Sequence, residues 1–149
     1  MKTLLRSLLM IIHVFVGIGA LFGGLLGILS PDGSVVGLSA TEALAHGPFT
    51  SFLIPGIFLF VVIGLGNIAG GITAKLKHPY QGYISGCLGG IMCLWILIQC
   101  YMLWAWSVLH ILFFFIGVVQ LVMAIILSFK TRLFPTELVI RLLLKEERD

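Results

Sequence analysis

The sequence predicts an all-α membrane protein, a bundle of four transmembrane helices, on two observations. Of its 149 residues, 60% are hydrophobic and 10% are charged, whereas roughly a quarter of the residues of a soluble domain are charged. Four uncharged apolar stretches are also long enough to cross roughly 30 Å of hydrocarbon, which takes about 20 residues of helix. A soluble globule and intrinsic disorder are therefore excluded, and the continuous apolar runs argue against the alternating strands of a membrane β-barrel.

The four predicted spans contain no Asp, Glu, Lys or Arg. They cover residues Ser7–Leu29, Phe52–Ala74, Tyr83–Leu103 and Leu109–Phe129. Together with their connections they make residues 1–129 one transmembrane domain, and residues 130–149 form a separate tail.

Every basic residue falls on one side of this four-span arrangement. These residues are Lys2, Arg6, Lys75, Lys77, Lys130, Arg132, Arg141, Lys145 and Arg148. Because Lys and Arg are enriched in cytoplasmic segments, we expect both termini in the cytoplasm of a multi-pass plasma-membrane protein. The net charge of +3 then reflects membrane orientation and does not indicate nucleic-acid binding.

The loop between the first two spans is expected to carry a short extracytoplasmic helix. Ser30-Pro31-Asp32-Gly33 is a turn signal that ends the first span. Ser39 and Glu42 then have the spacing of a capping box, which predicts one or two helical turns at the outer surface.

The tail, residues 130–149, is expected to form an amphipathic cytoplasmic helix. One face holds Glu137, Arg141, Lys145 and Arg148, and leucine, isoleucine and valine fill the remainder. A basic amphipathic helix of this kind lies on the anionic lipid of the inner leaflet, and docking onto a partner protein is the alternative.

The 18 glycines predict close packing of the helices. Small residues at every fourth position let helix backbones approach where lipid offers no hydrophobic drive for association. The glycines with this spacing are Gly19, Gly23 and Gly27 in the first span, Gly66 and Gly70 in the second, and Gly82, Gly86 and Gly90 in the third. They serve either packing within the monomer or a face for a second copy or a membrane-protein partner.

Each span carries one strongly polar side chain, and three of the four are expected to meet. His13, Asn67 and Gln120 lie roughly 10–14 Å from the cytoplasmic ends of their helices, at 1.5 Å rise per residue. Gln99 lies nearer the outer side and is expected to stay apart. The three side chains form interhelical hydrogen bonds on the first interpretation, and line a solute or proton path on the alternative one.

Signatures of catalysis and metal binding are missing from the sequence. The three cysteines form no CxxC pair, and no phosphate loop, HExxH or GxSxG motif occurs. No span holds a carboxylate, which argues against a proton-coupled exporter. An outer-face cluster of Asp32, Glu42, His46 and His110 is better explained as a solvated face than as a metal or catalytic site. We predict neither a metal nor a cofactor.

The first loop and second span resemble a recurrent pattern. The matching residues are Ser30-Pro31-Asp32-Gly33-Ser34, Gly47-Pro48-Phe49, Pro55-Gly56 and Gly64-Leu65-Gly66-Asn67. The pattern is similar to that of small uncharacterised four-span bacterial integral membrane proteins, in which a DGS turn and a PF…PG segment lead into a glycine-rich second span. The resemblance covers residues 28–71. It implies a bacterial inner membrane and the four-helix layout, but no activity.

These observations favour a non-enzymatic bacterial inner-membrane protein that acts through helix–helix association, as an accessory subunit or small homo-oligomer. The alternative is a transporter or channel for a small solute, with His13, Asn67 and Gln120 along its route. A membrane redox or cofactor-binding protein is the third hypothesis.

Overall fold

The computed structural model of the protein describes residues 2–131, and this part of the chain is helical without a strand. The helices are α1 (Lys2–Leu29), α2 (Ala40–Ala43), α3 (Leu53–Lys75), α4 (Gln81–Leu103) and α5 (Val108–Thr131). All except α2 are long and apolar enough to span a membrane, so the predicted four-helix class is confirmed at this level. The predicted tail helix lies outside the described residues, apart from the last two residues of α5.

The long helices extend beyond the uncharged stretches from which the sequence predicted them. α1 begins at Lys2 instead of Ser7, and α4 begins at Gln81 instead of Tyr83. The helices thus include charged and polar residues at their ends, which the prediction from apolar composition had assigned to loops.

A single helical turn, α2, stands where the sequence predicted a short helix. The predicted capping box is wrong: the Ser39 side chain bonds to no backbone N–H of the helix, and its hydroxyl instead hydrogen-bonds to that of Thr41 at 3.0 Å. What fixes α2 is apolar packing, because Ala40 and Leu44 are buried against Met102 at the end of α4.

α1 and α3 form the first helix pair, in which glycines bring the two backbones together. A Cβ atom on Gly24 would lie 2.5 Å from the backbone nitrogen of Phe60, and one on Gly56 would lie 2.9 Å from the carbonyl oxygen of Gly24. No side chain fits at either position, so the pair depends on glycine at this crossing.

α4 and α5 form the second helix pair, which is built in the same way. A Cβ atom on Gly89 would lie 3.0 Å from the carbonyl oxygen of Gly117, and one on Gly117 would lie 2.7 Å from the sulfur of Cys93. The closest and most extensive contacts of the bundle are therefore within the pairs, and the two pairs then face each other.

Seven of the eight glycines with four-residue spacing face other residues of this same chain, and they are Gly19, Gly23, Gly27, Gly66, Gly70, Gly82 and Gly86. Gly90 differs, because a Cβ atom there would meet no heavy atom within 4 Å. Of the two interpretations of the glycine pattern, packing within the monomer thus accounts for most positions.

A π-helical segment, Leu59–Leu65, interrupts α3 four residues after Pro55. The wider turn has Ile63 and Gly64 buried, and Asn67 follows in the next turn. The Asn67 amide nitrogen donates to the carbonyl oxygen of Ile63 at 2.8 Å. Short π segments within helices occur frequently at functional sites.

We predict that Gly24→Ala lowers the free energy of unfolding by about 1–3 kcal/mol, because backbone atoms of α3 occupy the space of the new methyl group. Gly90→Ala is the matched control, since the same change there meets open space. Denaturation in mixed detergent–SDS micelles measures both variants. Equal stability of the two would contradict the packing described for the first pair.

Candidate functional site

A buried polar cluster joins the two helix pairs. It brings together His13 of α1, Asn67 of α3 and Gln120 of α5, and it also includes Gln81 and Ser85 of α4. All five side chains are 0% exposed. In a medium without water such groups need partners inside the protein, and here each finds at least one across a helix interface.

The hydrogen bonds of the cluster run in one direction. Because the Asn67 amide nitrogen donates to Ile63, its oxygen faces His13 and accepts from Nδ1–H at 2.8 Å. The other ring nitrogen, Nε2, then accepts from the Ser85 hydroxyl at 2.8 Å.

The same chain continues toward the Lys75 end of α3. The Ser85 oxygen accepts from the Gln81 amide at 2.8 Å, and the Gln81 oxygen accepts from the Thr73 hydroxyl at 2.6 Å. For a neutral His13 ring, this assignment places the proton on Nδ1. Two amides interrupt the chain, and amides do not relay protons, so the contacts favour interhelical bonding over a proton path.

Gln120 completes the cluster less fully than its neighbours. Its amide nitrogen donates to the Ser85 carbonyl oxygen at 3.2 Å and lies 3.4 Å from the Asn67 oxygen. Its own carbonyl oxygen is buried without a hydrogen-bond partner among residues 2–131.

Gln81, Ser85 and Thr73 were not among the polar residues predicted from the sequence. Gln81 preceded the apolar stretch that defined the third span, and serine and threonine were too common to single out. A usable signal existed in the spacing: Ser85 stands four residues before Gly89, as His13 stands four residues before Gly17.

The two helix pairs share a residue spacing and an equivalent packing contact. Asn67 follows Gly64 by three residues, and Gln120 follows Gly117 by three residues. Gly17 packs against the backbone of Ile68, the residue after Asn67, and Gly89 packs against the backbone of Leu121, the residue after Gln120.

Corresponding residues also meet across the interface, as they do around a two-fold axis. His13 bonds to its counterpart Ser85, and Asn67 lies 3.4 Å from its counterpart Gln120. The polar cluster is therefore the meeting place of two similar halves.

A cavity of about 240 Å³ separates the helix pairs on the α2 side of the cluster. Its wall is mostly apolar and includes Val16, Ala20, Ile63, Met92 and Phe113. Residues of α1, α3, α4 and α5 all contribute to it, so the space belongs to the interface between the two helix pairs.

The wall of the cavity is formed in part by unequal residues at one pair of corresponding positions. Gly23 stands six residues after Gly17, and Trp95 stands six residues after Gly89. Both line the cavity. The first pair thus offers a hydrogen atom where the second offers an indole, and the missing volume remains as space.

The polar side chains in the cavity wall are those of Trp95, Gln99, Ser107 and His110. Trp95 stacks on Phe58 with ring centroids 4.3 Å apart, and its buried N–H has no acceptor within residues 2–131. His110 Nδ1 accepts from the backbone N–H of Ser107 at 3.1 Å, which leaves the ring proton on Nε2. Gln99, half-buried and outside the polar cluster, adds an amide.

The residues of the hypothetical outer-face cluster do not come together. Asp32 bonds within its own turn, Glu42 lies exposed on α2, His46 stacks on Trp104, and His110 lines the cavity. No group of three or more potential metal ligands occurs in the described part of the chain. The backbone N–H of Ser34 and the hydroxyls of Ser30 and Ser34 lower the pKa of Asp32, which is consistent with a turn-forming carboxylate.

The fold and the cavity provide the basis for inferring the function of this chain. No family model, curated protein or solved structure matches the chain. Fold and site together define a helical protein whose four long helices can span a membrane, with a polar cluster and an adjoining cavity between two helix pairs.

We predict that Ser85→Ala lowers the free energy of unfolding by roughly 1–2 kcal/mol, because His13 Nε2 and one Gln81 donor lose their partner. Cys87→Ala, an exposed site of similar size on the same helix, should change stability little. The ¹⁵N shifts of the His13 ring report the tautomer. An unchanged ring spectrum in Ser85→Ala would contradict the directed chain.

Proposed function

We propose that this chain is a membrane-embedded protein that binds a small, uncharged, lipid-soluble molecule in the cavity between its helix pairs. The observation that carries the proposal is the cavity wall, which combines an apolar lining with the unpartnered N–H of Trp95. This is the small-solute alternative predicted from the sequence, but the proposed site lies beside the polar cluster, and none of the cluster side chains lines the cavity.

The volume supports a ligand with a ring-sized head. An engineered apolar cavity of about 150 Å³ accommodates benzene, so about 240 Å³ accommodates a substituted ring. Asp, Glu, Lys and Arg are all missing from the cavity wall as described, and an ion would lack a counter-charge there.

Competition with the surrounding lipid determines which chemical groups the ligand needs. Lipid tails are as apolar as the cavity wall, so apolar contact alone gives a solute little reason to leave the bilayer. A hydrogen bond to a buried donor does discriminate, since lipid tails cannot replace it. Trp95 N–H, with His110 and Gln99 nearby, therefore favours a molecule that bears a carbonyl or similar acceptor.

The same proposal includes the predicted setting, a bacterial inner membrane with both termini in the cytoplasm. The positions of Lys2, Arg6, Lys75, Lys77 and Lys130 at one end of the bundle support this orientation by the positive-inside rule. The lipid bilayer, with anionic lipid at the predicted tail helix, is the expected environment.

We predict that the protein in lipid nanodiscs binds duroquinone roughly 3- to 10-fold more tightly than durene, a ring with the same four methyl groups and no carbonyl. Saturable shifts of the ¹³C-methyl signal of Met92, which lines the cavity, measure both affinities. Met102, packed against α2, is the internal control and should not shift.

Two variants make this test specific. Trp95→Phe should keep binding but lose the preference for duroquinone, and Gly23→Leu should fill the cavity and remove binding of both probes. Absence of a saturable Met92 shift with either probe would overturn the proposal. Equal affinity for both probes would overturn the role of the Trp95 donor.

A second candidate function is association through α4, as the sequence analysis favoured. The supporting observation is the open position of Gly90, next to exposed Cys87 and half-buried Gly86 on the outer surface of the bundle. A second helix could approach closely there.

This candidate predicts that Gly90→Leu converts an oligomer into a monomer, measured by native mass spectrometry from mild detergent. Gly19→Leu faces Phe113 inside the bundle and controls for a bulky residue that does not occupy the outer surface. A monomer mass for the unchanged protein would exclude a homo-oligomer.

A further inference from the structure

We infer that the ends of α1 and α3 form a second binding site, a pocket for a phosphate group such as that of an anionic lipid headgroup. The pocket has a volume of about 170 Å³. Its polar lining consists of Thr3, Arg6, Ser7, Lys75 and Lys77, three cations and two hydroxyls. It lies at the opposite end of the bundle from α2 and is separate from the cavity beside Trp95.

Within residues 2–131, the charged side chains around the pocket are all positive. Among residues 2–131 the only carboxylates are Asp32 and Glu42, both in the loop at the other end of the bundle. Three neighbouring cations repel one another, and an anion between them removes that repulsion. Phosphate oxygens also accept from hydroxyl groups, which matches the remaining polar lining.

Arg6 gives the pocket an unsatisfied donor. Its Nε–H is buried and has no hydrogen-bond partner within the described residues. A guanidinium presents donors in a planar fork that suits phosphate oxygens, and burial of one of them without an acceptor costs free energy. A bound phosphate supplies the acceptor.

Lys77 is held in place by an unusual helix end. α3 closes with a Schellman motif, in which His78 N–H donates to the Thr73 carbonyl at 3.0 Å and Lys77 N–H donates to that of Ala74 at 3.1 Å. Lys77 has φ 54°, in the left-handed region that this position usually fills with glycine. With lysine at this position the backbone is strained, but a positive charge lies at the pocket. Strained residues of this kind occur often at functional sites.

Substitution of Lys77 by glycine tests the site without an expected loss of stability. Lys77→Gly removes the charge and at the same time relieves the left-handed backbone, so the melting temperature should stay or rise. We expect it to reduce retention of phosphatidylglycerol relative to phosphatidylcholine by roughly fivefold, as one cation near an anionic surface contributes. Arg6→Gln should reduce it at least as much.

Native mass spectrometry of protein from nanodiscs with equal amounts of the two lipids measures this retention. Lys130→Gln is the control, because Lys130 lies at the same end of the bundle but outside the pocket. Equal retention by Lys77→Gly, Arg6→Gln and Lys130→Gln would overturn the site. Displacement of the lipid by millimolar glycerol 3-phosphate would identify a free phosphate ester as the ligand, and its failure would identify the lipid headgroup.

Discussion

The hydrogen bond between His13 and Ser85 is the contact on which the arrangement of the two helix pairs depends. Lipid provides no hydrophobic force to push helices together, so the pairs need specific contacts to stay in register. Within a pair, glycines supply those contacts by close backbone packing, as Gly24 and Gly89 do. Between the pairs, the bond from the Ser85 hydroxyl to the His13 imidazole fixes the register of the helices along their axes. The amides of Asn67 and Gln120 add further hydrogen bonds to this contact.

The position of the polar cluster along the helices explains where the cavity lies. The polar cluster holds the pairs together toward the Lys75 end of α3, while Gly23 on the other side leaves space opposite Trp95. The π-helical turn of α3 connects the two regions, because Ile63 both lines the cavity and accepts a hydrogen bond from Asn67. Ile63 is thus the residue through which the cavity wall and the polar cluster are in direct contact.

The sequence was sufficient for those features that hydrophobicity and spacing encode. Uncharged stretches predicted four long helices, and helical depth was enough to expect His13, Asn67 and Gln120 at one level, where the structure brings them together. Gln81 and Ser85 could not be found in this way, since polarity near a helix end also suits a loop. The cavity was beyond reach as well, because it arises from unequal side chains at corresponding positions of different helices.

The correspondence of the two pairs has a consequence for chain connectivity. Each pair carries its own glycine crossing and contributes its own share of the polar cluster, so neither depends on which of them is synthesised first. The connection from Leu76 to Tyr80 is therefore not needed to bring the pairs together, although Lys77 within it takes part in the pocket between α1 and α3. A circularly permuted protein, with α4 and α5 preceding α1, could assemble the same interface, as could the two hairpins expressed as separate polypeptides.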